Sequence, residues 1–191
     1  MTYNKPGFYP VNIRIIKAGV AAGLLLLLFA CDGNKALHQA AIDGEQASLA
    51  AMIESGTDVD LRNSYKWTAL MHAARSGHHD VVKYLLEKGA DVNAHDTNGW
   101  TALSRATVKG NADIVKLLLA HGADVNSKTL EGWTPLLWAA QRDYADLTRI
   151  LVDSGADVQA RSNDGRTPMM IAISEQHNEV LQILQAAGAR P

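Results

Sequence analysis

The chain has 191 residues, of which 47% are hydrophobic and 20% are charged, a balance that excludes wholesale disorder and suits one domain of ordinary size. Only 6% of the residues are aromatic, which favours thin, repeated packing layers over one large core. A formal net charge of −2 argues against a nucleic-acid binder, and a single cysteine excludes an intramolecular disulfide.

The first segment of the chain is basic and then apolar. Lys5, Arg14 and Lys17 are its charged residues, and an uncharged run follows over 18–30. Thirteen helical residues span about 20 Å, which is short of the roughly 30 Å of a bilayer core but typical of the apolar part of a secretory signal peptide. Residues 1–30 are therefore predicted to be a signal peptide, and their removal takes the formal charge from −2 to −5.

The apolar run ends in the sequence Leu28-Phe29-Ala30-Cys31, which resembles the lipobox of bacterial lipoproteins. The resemblance implies cleavage before Cys31, a diacylglyceryl group on its sulfur, and anchoring of the protein to a membrane on its periplasmic side. Phe29 departs from the small or aliphatic residues usual at its position, so an ordinary cleaved signal peptide and an uncleaved anchor remain alternatives. Asp32 resembles the signal that retains enterobacterial lipoproteins in the inner membrane.

A period of 33 residues fills the rest of the chain. The segment 67–99 is followed in register by 100–132 and 133–165, a weaker copy precedes them at 35–66, and a shorter one ends the chain at 166–191. Thr-Pro-Leu, Ala-Ala and Gly-Ala-Asp-Val-Asn elements recur in register. This pattern closely resembles the ankyrin repeat, a turn-helix-helix unit, and implies an all-α solenoid of about five repeats over 35–191 behind a short tether at 31–34.

The residues themselves indicate the same helices. Each of four repeats has a threonine suited to cap the first helix, and each of five has a glycine suited to end the second. Pro135 and Pro168 follow their threonines at the first helical position, where a missing N–H costs nothing. The threonines are Thr68, Thr101, Thr134 and Thr167, and the glycines are Gly56, Gly89, Gly122, Gly155 and Gly188.

The departures from the family pattern carry predictions of their own. The histidine that the family favours after the leucine is kept only as His38, so apolar contacts are expected to replace its hydrogen bonding to threonine. Lys66 and Asp143 replace glycines of the other repeats, and we expect their turns to be distorted. The first and last repeats are expected to act as caps.

No catalytic constellation is found in the sequence. The seven histidines do not stand at metal-ligand spacing with carboxylates or a thiol, and there is no nucleophile motif or phosphate-binding loop. His78 and His79 are adjacent, but His78 occupies a position that is often histidine in ankyrin repeats, which favours a structural role over metal binding. The chain is predicted not to be an enzyme and to need no cofactor; a metal-dependent hydrolase is the remote alternative.

The resemblance implies that a partner binds to the turn tips and first helices, which line a concave face. A tryptophan column precedes three of the helix caps, and basic residues follow it in the first helices. This column either carries binding energy, as tryptophan and arginine often do, or packs over the neighbouring turns. The candidate partner-binding residues are Trp67, Trp100, Trp133, Arg166, His72, Arg75, Arg105, Lys109, Trp138 and Arg142.

The sequence thus predicts a monomeric, non-catalytic protein-interaction module tethered to a membrane through Cys31. Its partner is an unidentified protein with an acidic or aromatic-accepting surface, and no nucleic acid is expected to bind. An architectural spacer without specific recognition is the alternative function.

Overall fold

The computed structural model describes residues 33–190, and they form ten α-helices arranged as five consecutive pairs. The signal-peptide prediction, Cys31 and Asp32 lie outside the described residues. Within the described range there is no strand, and short hydrogen-bonded turns join the pairs. The helices are α1 (Gly33–Asp43), α2 (Gln46–Glu54), α3 (Ala69–Ser76), α4 (His79–Glu87), α5 (Ala102–Lys109), α6 (Ala112–Ala120), α7 (Pro135–Gln141), α8 (Ala145–Asp153), α9 (Pro168–Ser174) and α10 (Asn178–Ala186).

The threonines start the first helices as predicted. Each has an extended backbone, and its hydroxyl accepts a hydrogen bond from the backbone N–H three residues on, which satisfies one of the free donors at the helix start. The N–H groups belong to Met71, Ser104, Leu137 and Met170, at 3.1 to 3.3 Å.

The turns at Lys66 and Asp143 are not distorted, so that prediction is wrong. Lys66 has φ +60° and Asp143 φ +56°, the left-handed conformation that glycine adopts at the same place in other repeats. The turn hydrogen bond at Lys66 is also kept, from its N–H to the Asn63 carbonyl at 2.8 Å. Gln176 does the same at φ +61°. The stack imposes the turn, and the non-glycine residues accept the backbone strain.

The core is a continuous row of small and aliphatic side chains between the helix pairs. In α4, Val81, Val82 and Leu85 are each at most 1% exposed, and the matching residues of α6 and α8 are buried in the same way. No single pair could bury its own apolar face, so each repeat is stabilised by its neighbours.

Polar side chains that precede the second helices tie the second, third and fifth repeats to the repeat before. The His78 ring nitrogen Nε2 lies 2.7 Å from the Ile42 carbonyl, and Asn111 donates to the Ala74 carbonyl at 2.9 Å. His177 bonds the Ala140 carbonyl at 2.8 Å. The structural role predicted for His78 is thereby confirmed.

A second set of ties runs along the loops after the second helices. The Asn93 side chain accepts from the Asp124 N–H at 2.8 Å and donates to the Gly122 carbonyl at 3.1 Å. Asn126 repeats both bonds one unit later. The recurring Asp-Val-Asn element therefore joins neighbouring repeats through the amide of its last residue.

Candidate functional site

The tryptophans form one stacked row along the turns and first helices. Trp138, on α7, lies between Trp100 and Trp133, with ring-centre distances of 5.0 and 4.3 Å. Trp133 is only 8% exposed, whereas Trp67, Trp100 and Trp138 are half-buried. Trp133 therefore serves mainly to pack, and the other three rings keep part of their surface open.

Arg105 fills the gap between the first two tryptophans. Its guanidinium carbon lies 4.1 Å from the centre of the Trp67 ring and 4.2 Å from that of the Trp100 ring, so the planar cation is held between two aromatic faces. It bridges the second repeat to the third. The predicted grouping of Trp67, Trp100 and Arg105 is thus present in the structure.

Arg105 has an acidic partner that the sequence analysis did not find. Its Nη2 donates to Asp96 Oδ2 at 2.5 Å, and the Asp96 side chain is fully buried. The other Asp96 oxygen accepts from the backbone N–H groups of Asn98 and Trp100 at 2.8 and 3.0 Å, which fixes the turn. Burial lowers the pKa of Arg105, and the hydrogen bond to Asp96 opposes that shift.

Asp96 belongs to a column of turn residues whose other members are uncharged. Asn63, Thr129 and Ser162 accept backbone hydrogen bonds at the same place in their repeats. In the sequence, the one signal for this ion pair is the single carboxylate in an otherwise uncharged column.

Two histidines extend the row into the first repeat. The His72 ring centre lies 4.7 Å from that of Trp67 and 5.3 Å from that of His38, and His38 Nε2 lies 2.9 Å from the Trp67 carbonyl. Burial lowers the pKa of His72 to about 4, helped by repulsion from His38, Arg75 and Arg105. His72 is therefore neutral at physiological pH.

The row ends in the fifth repeat. The Arg166 guanidinium carbon lies 4.9 Å from the centre of the Trp133 ring, and its Nε donates to Asp164 at 2.7 Å. We call the whole row the ring stack; its members are His38, His72, Trp67, Arg105, Trp100, Trp138, Trp133 and Arg166.

The predicted basic residues divide into two kinds. Arg105 and Arg166 already have acidic partners. Arg75, Lys109 and Arg142 are exposed, and no acidic side chain of residues 33–190 lies within ion-pair distance of them. Arg75 contacts the ring stack, 5.5 Å from the Trp67 ring centre, whereas Lys109 and Arg142 stand apart at the ends of their helices.

Two open recesses adjoin the first half of the ring stack. One, of about 320 Å³, lies between the turns of the second and third repeats and includes Trp67, Arg75 and Arg105 in its wall. The other, also about 320 Å³, lies against the first repeat and includes Lys35 and His38. The two recesses share Asn63 and His72 as lining residues.

The comparison with protein families agrees with the repeat architecture. The model of the ankyrin repeats, in three copies, matches residues 14–96, 37–129 and 123–191. This chain belongs to the ankyrin-repeat family. No curated protein matches the sequence.

Ankyrin repeats are generally protein-interaction modules, and the family is typically non-catalytic. Membership therefore points to a protein partner for this ankyrin chain. Across residues 33–190, none of the helices is both long and apolar enough to cross a membrane. The same range holds no group of three or more histidine, cysteine, aspartate or glutamate side chains placed to bind a metal ion.

Proposed function

We propose that this ankyrin protein is a membrane-tethered, non-catalytic interaction module on the periplasmic side of a bacterial envelope. Its partner binds the face that carries the ring stack. The observation that carries the proposal is the length of that stack, which runs from His38 in the first repeat to Arg166 in the fifth and stays partly open at three of its four tryptophans.

The physics of the ring stack favours recognition. Tryptophan and arginine are enriched among the few residues that carry most of an interface's binding energy. Arg105 is held by two rings and a buried carboxylate, so its side chain is already ordered before a partner arrives. A surface ordered in advance loses less conformational entropy on binding and gains affinity for that reason.

The tether rests on the sequence. A short apolar run followed by Cys31 suits a lipid anchor, in which more than one acyl chain holds the protein stably at a bilayer. Anchoring raises the effective concentration of the module near other envelope proteins. Asp32 favours the inner membrane as the final location.

The test is capture of partners by the full chain from crosslinked cell envelopes, with identification by mass spectrometry. The test variant reverses three exposed charges on the ring-stack side, Arg75→Glu/Lys109→Glu/Arg142→Glu. The matched control reverses three exposed charges on second helices, Lys83→Glu/Lys116→Glu/Arg149→Glu. Surface ion pairs contribute little to stability, so both variants are expected to fold.

We expect the partner to be lost with the first variant and kept with the control. Loss with both or with neither would contradict binding through this face. The intact mass of the captured chain reports lipidation in the same experiment, and an unmodified Cys31 would contradict the tether.

The buried Trp133 and the internally paired Arg105 favour a second function, that of an architectural spacer whose ring stack only stiffens the array. A spacer predicts that the charge reversals above leave the envelope contacts unchanged. Deletion of one whole repeat, residues 100–132, would then alter them because the length of the array changes.

A further inference from the structure

The recess between the second and third repeats combines an aromatic wall with polar donors. Trp67 and His72 lie on one side, and the exposed Tyr65 lies at its edge. Thr97 and Asn98, from the next turn, complete the opposite side. The wall therefore offers apolar contact together with a hydroxyl and an amide that can donate hydrogen bonds.

The charges around this recess are of one sign. Its lining holds two guanidinium groups, those of Arg75 and Arg105, and no carboxylate. Asp96 forms an ion pair with Arg105. The Asp96 side chain has no exposed surface, so it does not also pair with the exposed Arg75. The adjoining recess adds Lys35 and likewise has no acidic lining residue. Arg75 is thus an exposed cation without an acidic partner among residues 33–190.

The charges beside the fourth and fifth repeats differ from those around this recess. The turns of the fourth and fifth repeats carry Glu131 and Asp164, both exposed, and Asp164 already pairs with Arg166. The ring stack therefore has a positive first half and an acid-bearing second half. Arg75 lies in a recess whose lining has no carboxylate, whereas the unpaired Arg142 of the fourth repeat does not line this recess.

We propose that this recess is the anchor site for a carboxylate side chain, aspartate or glutamate, in an acidic segment of the partner protein. The inference rests on the proposed function, because it names the chemistry of the partner at the ring-stack face. Arg75 forms the ion pair, Thr97 and Asn98 supply further donors, and the Trp67 ring contacts the aliphatic part of the bound side chain. Charge-assisted pairs with arginine are among the stronger hydrogen bonds of proteins.

The test uses a phage library of random 12-residue peptides, selected on the full chain in detergent. Three substitutions are compared with the native chain: Arg75→Gln, Arg75→Lys and the matched control Arg149→Gln. Arg149 is an exposed arginine on α8, a second helix, and does not line the recess. Because both arginines are exposed, none of the variants is expected to unfold, and thermal unfolding of each checks this.

We expect the recovered peptides to share at least one acidic position. Arg75→Gln should weaken their binding about tenfold, Arg75→Lys should restore part of it as a point charge, and Arg149→Gln should leave it within about twofold. Inorganic phosphate and acetate, added separately at equal ionic strength, serve as competitors. Displacement by phosphate but not by acetate would reassign the recess to phosphate groups and overturn the inference.

The remaining outcomes separate the anchor from the proposed function. Peptides without an acidic preference, or with one that persists in Arg75→Gln, would overturn the anchor while leaving the ring-stack face as a binding surface. Recovery of no peptide would also overturn it. The proposed function is judged independently by envelope capture, which needs no acidic segment.

Discussion

At the residue scale, backbone strain is concentrated at three side chains that occupy glycine positions. Lys66, Asp143 and Gln176 have φ near +60°, a conformation that costs a residue with a Cβ atom free energy and costs glycine little. The packing of the adjacent repeats holds the backbone in this conformation at all three positions.

Asp143→Gly should therefore stabilise the protein, by about 0.5–1 kcal/mol, because glycine relieves the strain. Gly77→Ala is the matched opposite: φ is +85°, and an added Cβ atom would meet nothing closer than 3.5 Å, so its cost comes from the backbone alone. Urea unfolding monitored by far-ultraviolet circular dichroism measures both. A loss of stability in Asp143→Gly would show that the turn is not strained.

His72 makes the stability depend on pH. Its folded pKa of about 4 lies below the ordinary 6.5, so between these values the unfolded chain binds a proton that the folded protein does not. Stability is therefore complete above pH 6.5 and falls as the pH drops toward 4, by about 1–3 kcal/mol.

The variant His72→Phe should reduce this loss, because phenylalanine retains an aromatic ring beside Trp67 and cannot be protonated. It also removes Nε2, a buried nitrogen without a hydrogen-bond partner. Unfolding free energies at pH 7 and pH 5 test the prediction. An equal fall in both proteins would assign the pH dependence to the carboxylates instead.

At the element scale, Asp96 joins a turn to a helix. It holds the turn backbone through one oxygen and Arg105 of α5 through the other. Removing one member of a buried ion pair leaves the other charge uncompensated, which is more costly than the pair itself is stabilising.

Asp96→Asn keeps an oxygen for the turn but loses the charge, so we expect a loss of about 2–4 kcal/mol. The double variant Asp96→Asn/Arg105→Leu should lose less than Asp96→Asn alone, because no buried cation remains. Thermal or urea unfolding of the two variants decides between this and simple additivity, which would mean that the two side chains act independently.

The loop ties offer a stabilising change in the first repeat. Asp60 stands where later repeats have Asn93 and Asn126, and its carboxylate accepts from the Asp91 N–H at 3.0 Å but cannot donate. Burial raises its pKa, so its charged form costs the folded state free energy as the pH rises through that pKa.

Asp60→Asn should gain about 0.5–1 kcal/mol at neutral pH, through a new donor to the next loop and relief of this cost. The part due to charge should disappear in acid, below the ordinary aspartate pKa. Asn93→Asp is the matched reverse substitution and should destabilise. Unfolding curves at two pH values compare them, and a neutral Asp60→Asn would mean that the new bond does not form.

Most elements were predictable from the sequence because their causes are local. Thr68 and Pro135 mark helix starts, and the 33-residue period gives the stacking. The pairing of Asp96 with Arg105 was not, since a turn residue and a helix residue nine positions apart become neighbours only once the repeats are packed. The same holds for Trp138, whose place between two other rings depends on the spacing of α7 from its neighbours.

At the scale of the whole molecule, the exposure of equivalent side chains changes along the array. Met170 and Ile173 lie on α9, the first helix of the fifth repeat, and are 38% and 50% exposed. Leu137 and Ala140, at the same positions one repeat earlier, are fully buried. The position of a side chain in the array, more than its residue type, therefore decides how much it contributes to the free energy of unfolding.

Met170→Gln/Ile173→Gln should thus cost only about 1–2 kcal/mol, because each side chain is about half exposed. The same changes one repeat earlier, Leu137→Gln/Ala140→Gln, should cost more than about 4 kcal/mol because they bury unpaired amides. Thermal unfolding compares the two. A large loss in the first variant would mean that the end face is covered by something in solution.

The ring stack has an optical consequence. All four tryptophans of the chain belong to it, and the second helices have none. The ring centre of Trp138 lies 5.0 Å from that of Trp100 and 4.3 Å from that of Trp133, close enough for the electronic transitions of neighbouring rings to couple. Tryptophan fluorescence, excited at wavelengths beyond the absorption of tyrosine, therefore reports on one face of the molecule. Binding of a partner to that face is expected to change the tryptophan signal without any added label. Binding to the opposite side is expected to leave the signal unchanged.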